Sequence, residues 1–228
     1  MTIFQRLFAP NLLPLLGLAV CLTACSGPVA RVAAPRLPAA TDLLVLGNSI
    51  TQHGYDSSIG WTGTWGMAAS AQANDFVHLT GVALNLPPSA NNIATIEQNP
   101  SAAAGTLGTI GPLVGKGTDV VVELGDNVMD ADLATFQPVY AQLLSAASAR
   151  RSLVCLSTFW QRSDIDQMIQ AQCAAAGGTY VYIGDIYTNP ANPDYQGTPA
   201  FSDPAVNMHP HDWSMNQISI RIAAALTP

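Results

Sequence analysis

Four short apolar runs punctuate the chain. They are Leu43-Leu44-Val45-Leu46-Gly47, Asp119-Val120-Val121-Val122-Glu123-Leu124-Gly125, Leu153-Val154-Cys155-Leu156-Ser157 and Tyr180-Val181-Tyr182-Ile183-Gly184-Asp185. Continuous rather than alternating apolar character marks a strand covered on both faces. A weaker run at 82–86 predicts one more strand. Between these runs, helical spacing covers roughly 65–80, 132–149, 164–176 and 212–226. In the last of these, Trp213, Ile218, Ile220, Ile222 and Leu226 make an imperfect helical face. The β-α-β-α order predicts a mainly parallel sheet between two helical layers, a three-layer α/β/α sandwich. In such folds the reactive groups collect beyond the C-terminal strand ends. That rule selects Asn48-Ser49, Asp126-Asn127, Thr158-Phe159-Trp160 and the loop before the last helix.

The first 24 residues follow a different pattern. Arg6 precedes an apolar run from Leu7 to Leu22, and no acid occurs before Asp42. This is the layout of a secretory signal. Pro10 and Pro14 argue against a permanent membrane-spanning helix, since each removes a helix hydrogen bond. Leu22-Thr23-Ala24-Cys25 resembles a bacterial lipobox, which implies cleavage before Cys25 and lipid attachment to its thiol. Ordinary signal cleavage near Ala24 is the plainer alternative. Residues 25–41 are rich in Pro and Ala and read as a tether. One globular domain, 42–228, follows. The expected setting is the bacterial cell envelope, with the chain lipid-anchored at the outer membrane or periplasmic face.

Composition narrows the partners. At 49% apolar and 10% charged, the 228-residue chain can bury a full core and is not a disordered one. The net charge is −7 and Lys116 is the one lysine, so no cationic face for a nucleic acid is expected. Four cysteines without C-x-x-C spacing make neither a disulfide scaffold nor a zinc site. An exported chain would allow a Cys155–Cys173 bridge. Two buried apolar thiols would serve equally well.

A serine on a tight turn at the mouth of a sheet needs a base to become a nucleophile. Ser49 ends the first strand, and His209 lies just before the last helix. Asn127, after the central strand, carries an amide able to donate to a developing oxyanion. Gly47-Asn48-Ser49, Gly125-Asp126-Asn127 and His209-Pro210 resemble blocks I, III and V of the SGNH (GDSL-type) hydrolases. The likeness covers about 42–228, and the stretch Gly60–Ser70 is similar to a bacterial subgroup. It implies a flavodoxin-like SGNH fold with Ser49 as nucleophile and His209 as general base. It further implies Asn127 and the Ser49 N–H as oxyanion donors, and ester hydrolysis through an acyl-enzyme with no metal and no cofactor.

The chain departs from that pattern twice. The family's D-x-x-H motif would put an acid at 206, where Val206 stands. Asp203 is the first substitute and Asp212 the second; a main-chain carbonyl, leaving a Ser–His dyad, is the third. Asp212 also reads as a cap for the last helix. The block II glycine is also missing. Asn91-Asn92-Ile93-Ala94 matches its stretch, with Ala94 offering the N–H, while Gly60, Gly63 and Gly66 compete for the assignment.

Several residues have plainer readings. His53 reads as a solvated loop histidine, and Asp75 with His78 as a surface pair. His209 and His211 are too few for zinc. The four tryptophans read as core, with Trp160 the best pocket-lining candidate. An unperturbed His209 predicts turnover falling near pH ~6.5. The expected activity is a serine esterase acting on short acyl esters, by analogy O-acetyl groups on a polysaccharide. A non-catalytic glycan-binding lipoprotein and an acyltransferase using the same serine are the alternatives.

Overall fold

The computed structural model describes residues 37–227. The signal segment, Cys25 and most of the proposed tether lie outside the described residues. The elements run β1 (Asp42–Gly47), α1 (Phe76–Leu84), β2 (Pro88–Asn92), α2 (Thr95–Gln98), α3 (Ala104–Gly108), β3 (Thr118–Glu123), α4 (Leu133–Ala146), β4 (Ser152–Leu156), α5 (Ser163–Ala175), β5 (Thr179–Val181), α6 (Gly184–Tyr187), α7 (Pro204–Asn207) and α8 (Asp212–Leu226). The five strands form one sheet in the order β2-β1-β3-β4-β5. Every neighbouring pair is parallel.

Each strand residue points to the opposite face from its neighbour, so an unbroken apolar run feeds two cores. Leu44, Leu46, Val120, Val122 and Cys155 pack with Phe136, Tyr140 and Leu143 of α4 and Ile165 and Ile169 of α5. Leu43, Val45, Val121, Val154 and Leu156 pack on the other face with Phe76 and Val77 of α1 and Met215, Ile218 and Ile222 of α8. The result is the three-layer sandwich expected from the pattern. On the first face, Cys155 of β4 and Cys173 of α5 are joined by a disulfide, with Cα atoms 6.1 Å apart.

Two expectations move. The weak strand at 82–86 is instead the end of α1 and the turn after it; Asn85 adopts the left-handed conformation and closes the helix. The strand is β2, whose five residues Pro-Ser-Ala-Asn-Asn carry no apolar run at all. It is an edge strand, and an edge strand needs little core-facing apolar surface. The helix expected over 65–80 begins only at Phe76. Asp75 caps it by accepting from the His78 N–H at 2.8 Å.

Chain order reverses between β1 and β3: β2 lies outside β1, and β4 and β5 lie beyond β3. The crevice at such a switch point, past the carboxyl ends of the strands, is where open α/β sheets place their ligands. Ser49 follows β1 there, and the Gly125-Asp126-Asn127 loop follows β3.

Candidate active site

The nucleophile turn is held from beneath. A Cβ at Gly47 would lie 1.9 Å from Thr51 Oγ1 and 2.8 Å from the Glu123 carbonyl, so only glycine lets the chain fold back this tightly. Asn48 is buried; its Oδ1 accepts from the Ile50 N–H at 2.9 Å. Its Nδ2 donates to Glu123 Oε1 at 3.2 Å and its N–H to Glu123 Oε2 at 3.3 Å. Thr51 Oγ1 donates to Glu123 Oε2 at 3.0 Å. Four bonds thus fix the turn that presents Ser49.

Ser49 Oγ lies 2.9 Å from His209 Nε2, across 160 residues of sequence. His209 Nδ1 lies 2.7 Å from the Ala205 carbonyl. A carbonyl can only accept, so Nδ1 carries the proton and Nε2 is the acceptor facing the serine hydroxyl. That is the tautomer a general base needs. Trp160 walls the imidazole edge-on, with ring centroids 5.3 Å apart. Burial, with His53 and His211 nearby, pushes the His209 pKa down to about 4, against the pull of the Ala205 carbonyl. The value near 6.5 expected from the sequence is therefore corrected downward: the ring is neutral throughout the physiological range.

Asp203 does not orient His209. Its Oδ1 accepts from the Ala205 N–H at 2.8 Å and the Val206 N–H at 3.2 Å, so it caps α7. Asp212 is equally occupied elsewhere, accepting from Ser70 N and Oγ at 2.8 and 2.6 Å and from Asn74 Nδ2 at 3.0 Å. Nor does it cap α8; the Asp194 carboxylate takes the N–H groups of Trp213 and Ser214. The orienting group on the imidazole is the main-chain carbonyl. The physical reason is local: Val206 is fully buried where an acid would be needed, while the single turn of α7 brings the carbonyl four residues back onto Nδ1.

The cleft in front of Ser49 has a volume of about 370 Å³ and is lined in part by His53, Met67, Asn127, Trp160, Val206 and His209. Asn127 Nδ2 donates to Glu97 Oε2 at 2.9 Å; its second hydrogen has no partner among the described residues, and the side chain lines the cleft. Ala94 also lines the cleft, but its N–H is engaged by Asn92 Oδ1 at 3.0 Å. An oxyanion contact at Ala94 would therefore be shared with that bond. His53, expected to be a solvated loop residue, lines the cleft and bonds Nδ1 to the Gly54 carbonyl at 2.7 Å. Asp75 is buried rather than superficial, and His78 Nδ1 bonds to it at 2.8 Å.

Three carboxyl groups lie behind the site; the sequence reading singled out Asp126 with its motif and missed Glu97 and Glu123. Glu97 and Glu123 are fully buried. Asp126 Oδ1 accepts from the N–H groups of Phe159 and Trp160 at 2.9 and 3.2 Å, while its buried Oδ2 meets no partner among the described residues. Burial raises all three, with the neighbouring carboxylates raising Glu123 and Asp126 further; Asp126 reaches about 7. Glu123 left a signal, an acid at the end of an otherwise apolar strand. Glu97 left none, since nothing in Thr95-Ile96-Glu97-Gln98 marks it as buried.

No family model matches the sequence, and neither does any curated protein. Solved structures do. A member of the lipolytic G-D-S-L family from Veillonella parvula is 12% identical with a TM-score of 0.52, over 82% of this chain and 98% of that one. A GDSL-like lipase from Parabacteroides merdae is 14% identical with a TM-score of 0.51, over 84% of this chain and all of that one. A Bacillus subtilis protein is 12% identical with a TM-score of 0.54, over 82% of this chain and 56% of that one. The chain has the α/β fold of the SGNH, or G-D-S-L, hydrolases.

Proposed function

We propose that the chain is a serine esterase that cleaves short acyl esters through an acyl-enzyme. The observation that carries this reading is the 2.9 Å contact between Ser49 Oγ and His209 Nε2, with Nδ1 already committed to the Ala205 carbonyl. His209 takes the Ser49 proton as Oγ attacks the ester carbonyl carbon. Negative charge then develops on the carbonyl oxygen, where the second Asn127 Nδ2 hydrogen and the Ser49 N–H can receive it. The imidazolium returns its proton to the leaving alkoxide, which departs as an alcohol. Water, deprotonated by His209, cleaves the acyl-enzyme and restores Ser49.

The carbonyl orients the ring as a carboxylate would, but it brings no full negative charge to stabilise the imidazolium. A dyad of this kind is expected to be slower than a complete triad and still active. A cleft of about 370 Å³ suits a small acyl group better than a long chain. Placement in the bacterial envelope through a lipid on Cys25, and an O-acetylated polysaccharide as substrate, belong to the same proposal. They rest on the N-terminal pattern and on the family resemblance.

A purely glycan-binding role is less favoured, because binding alone would not require a hydroxyl and an imidazole aligned for proton transfer. The test is turnover of p-nitrophenyl acetate by the protein beside its Ser49→Ala variant. Loss of turnover with Ser49 supports the esterase. Equal turnover in both proteins, or none in either when both are folded, removes it.

A further inference from the structure

Glu97 is the third residue of α2 and fully buried, and its hydrogen bonds go to neither Ser49 nor His209. Its Oε1 accepts from the Gly125 N–H and its Oε2 from Asn127 Nδ2, the latter at 2.9 Å. Both bonds fall on the loop that follows β3. The two neighbouring carboxyls have other donors: Glu123 takes Asn48 and Thr51, and Asp126 takes Phe159 and Trp160. Glu97 is the group that addresses the Asn127 side chain.

An asparagine amide presents two donors at one end and an acceptor at the other, and rotation by half a turn exchanges them. With Oδ1 turned to the cleft, Asn127 would repel a developing oxyanion. The end of Asn127 that meets Glu97 is Nδ2, which donates to Oε2 at 2.9 Å, so Glu97 serves as the acceptor there. One Nδ2 hydrogen is then fixed on Glu97, and the other is directed away from it. The Gly125 N–H on Oε1 holds the carboxylate itself in place. Gly125 is bound to this geometry: its φ is +125°, and a Cβ there would lie 2.8 Å from Ile165 Cγ2.

We infer that Glu97 is the positioning residue of the oxyanion hole, pinning Asn127 through Nδ2 so that the amide offers an N–H to the ester oxygen. The inference rests on the esterase reading above. It has two tests, one of which is independent of turnover.

The first test needs no substrate. Asn127 is only partly buried, yet the Nδ2 hydrogen held on Glu97 should exchange much more slowly than the side-chain protons of exposed Asn189. The Asn127 signal is assigned by its loss in Asn127→Ala. Slow exchange that is lost in Glu97→Gln is the expected result; exchange as fast as that of Asn189 in the unaltered protein overturns the inference. The second test is a double-mutant cycle on ester turnover. A glutamine oxygen can meet only one of the two donors, and its amide opposes the other. Glu97→Gln should therefore lower kcat about tenfold or more with KM within about twofold, and Asn127→Ala should lower kcat by about 10²-fold or more. In the Asn127→Ala background, Glu97→Gln should add nothing. Equal losses in both backgrounds, or wild-type kcat in Glu97→Gln, overturn the positioning role. Should Ser49→Ala leave turnover intact, the esterase reading fails, and the exchange rate of the Asn127 amide still decides the role of Glu97.

Discussion

His209 is held by groups that sequence motifs do not record. Its Nδ1 donates to a main-chain carbonyl, which any residue at position 205 would supply. Its neutrality comes chiefly from burial, with two other histidines adding to it. A base held at about 4 predicts a flat kcat/KM between pH 8 and pH 5 and a half-loss near pH 4, measured with an ester whose own hydrolysis is subtracted. A half-loss near pH 6.5 would mean that the imidazole is solvated in the free enzyme. That Ser49, Asn127 and His209 would meet at one cleft was legible in the sequence because each follows a strand end or precedes a helix in a short motif. Glu97 was not, because a single acid in a four-residue helix has no periodicity to betray its burial. The choice among Asp203, Asp212 and a carbonyl was equally closed, since it depends on how one turn of chain curls.

Helix ends decide what the nearby acids do. Asp203 begins α7 and satisfies two of its otherwise unpaired N–H groups. Asparagine caps about as well as aspartate, so Asp203→Asn should leave both turnover and stability nearly unchanged. Asp203→Ala should cost about 1 kcal/mol of stability. Were Asp203 the orienting acid, Asp203→Asn would lower kcat by orders of magnitude; comparing kcat and thermal unfolding of the two variants separates the roles. The apolar runs located β1, β3 and β4 because those strands are buried on both faces, and β5 because Tyr180 and Val181 each pack partly against one of the two cores. β2 escaped because its side chains include no large apolar group. The helices α4, α5 and α8 came within a few residues of their predicted spans. α1 did not, because the stretch 65–75 packs apolar residues such as Met67 and Ala69 without forming a long helix.

The whole molecule carries a buried acidic centre behind its site, and this ties stability to pH. Burial, and then the charge of Glu97, hold the Asp126 carboxyl at about 7 in the folded protein, against an ordinary value of 3.8. Between those pH values the folded state keeps a proton that the unfolded state has released, so rising pH removes stability across that window. His209 acts in the opposite sense: its lowered value costs stability as pH falls from about 6.5 to about 4. Comparing Asp126→Asn with the unaltered protein removes the Asp126 ionisation together with its push on Glu123. The asparagine can keep the Phe159 and Trp160 bonds and puts an amide where Oδ2 has no partner. Its stability advantage in chemical denaturation should grow from pH 4 to pH 8. A constant difference across that range would mean that Asp126 ionises normally in the fold.

The proposed activity stands or falls on Ser49, activated by His209, cleaving an ester. The most direct measurement is the initial rate of p-nitrophenyl acetate hydrolysis by the protein and by Ser49→Ala, with circular dichroism of both. Saturable turnover that disappears with the Ser49 hydroxyl, while the spectrum stays the same, is the expected result. Undiminished turnover in Ser49→Ala would contradict it, and so would a folded protein that turns over no ester.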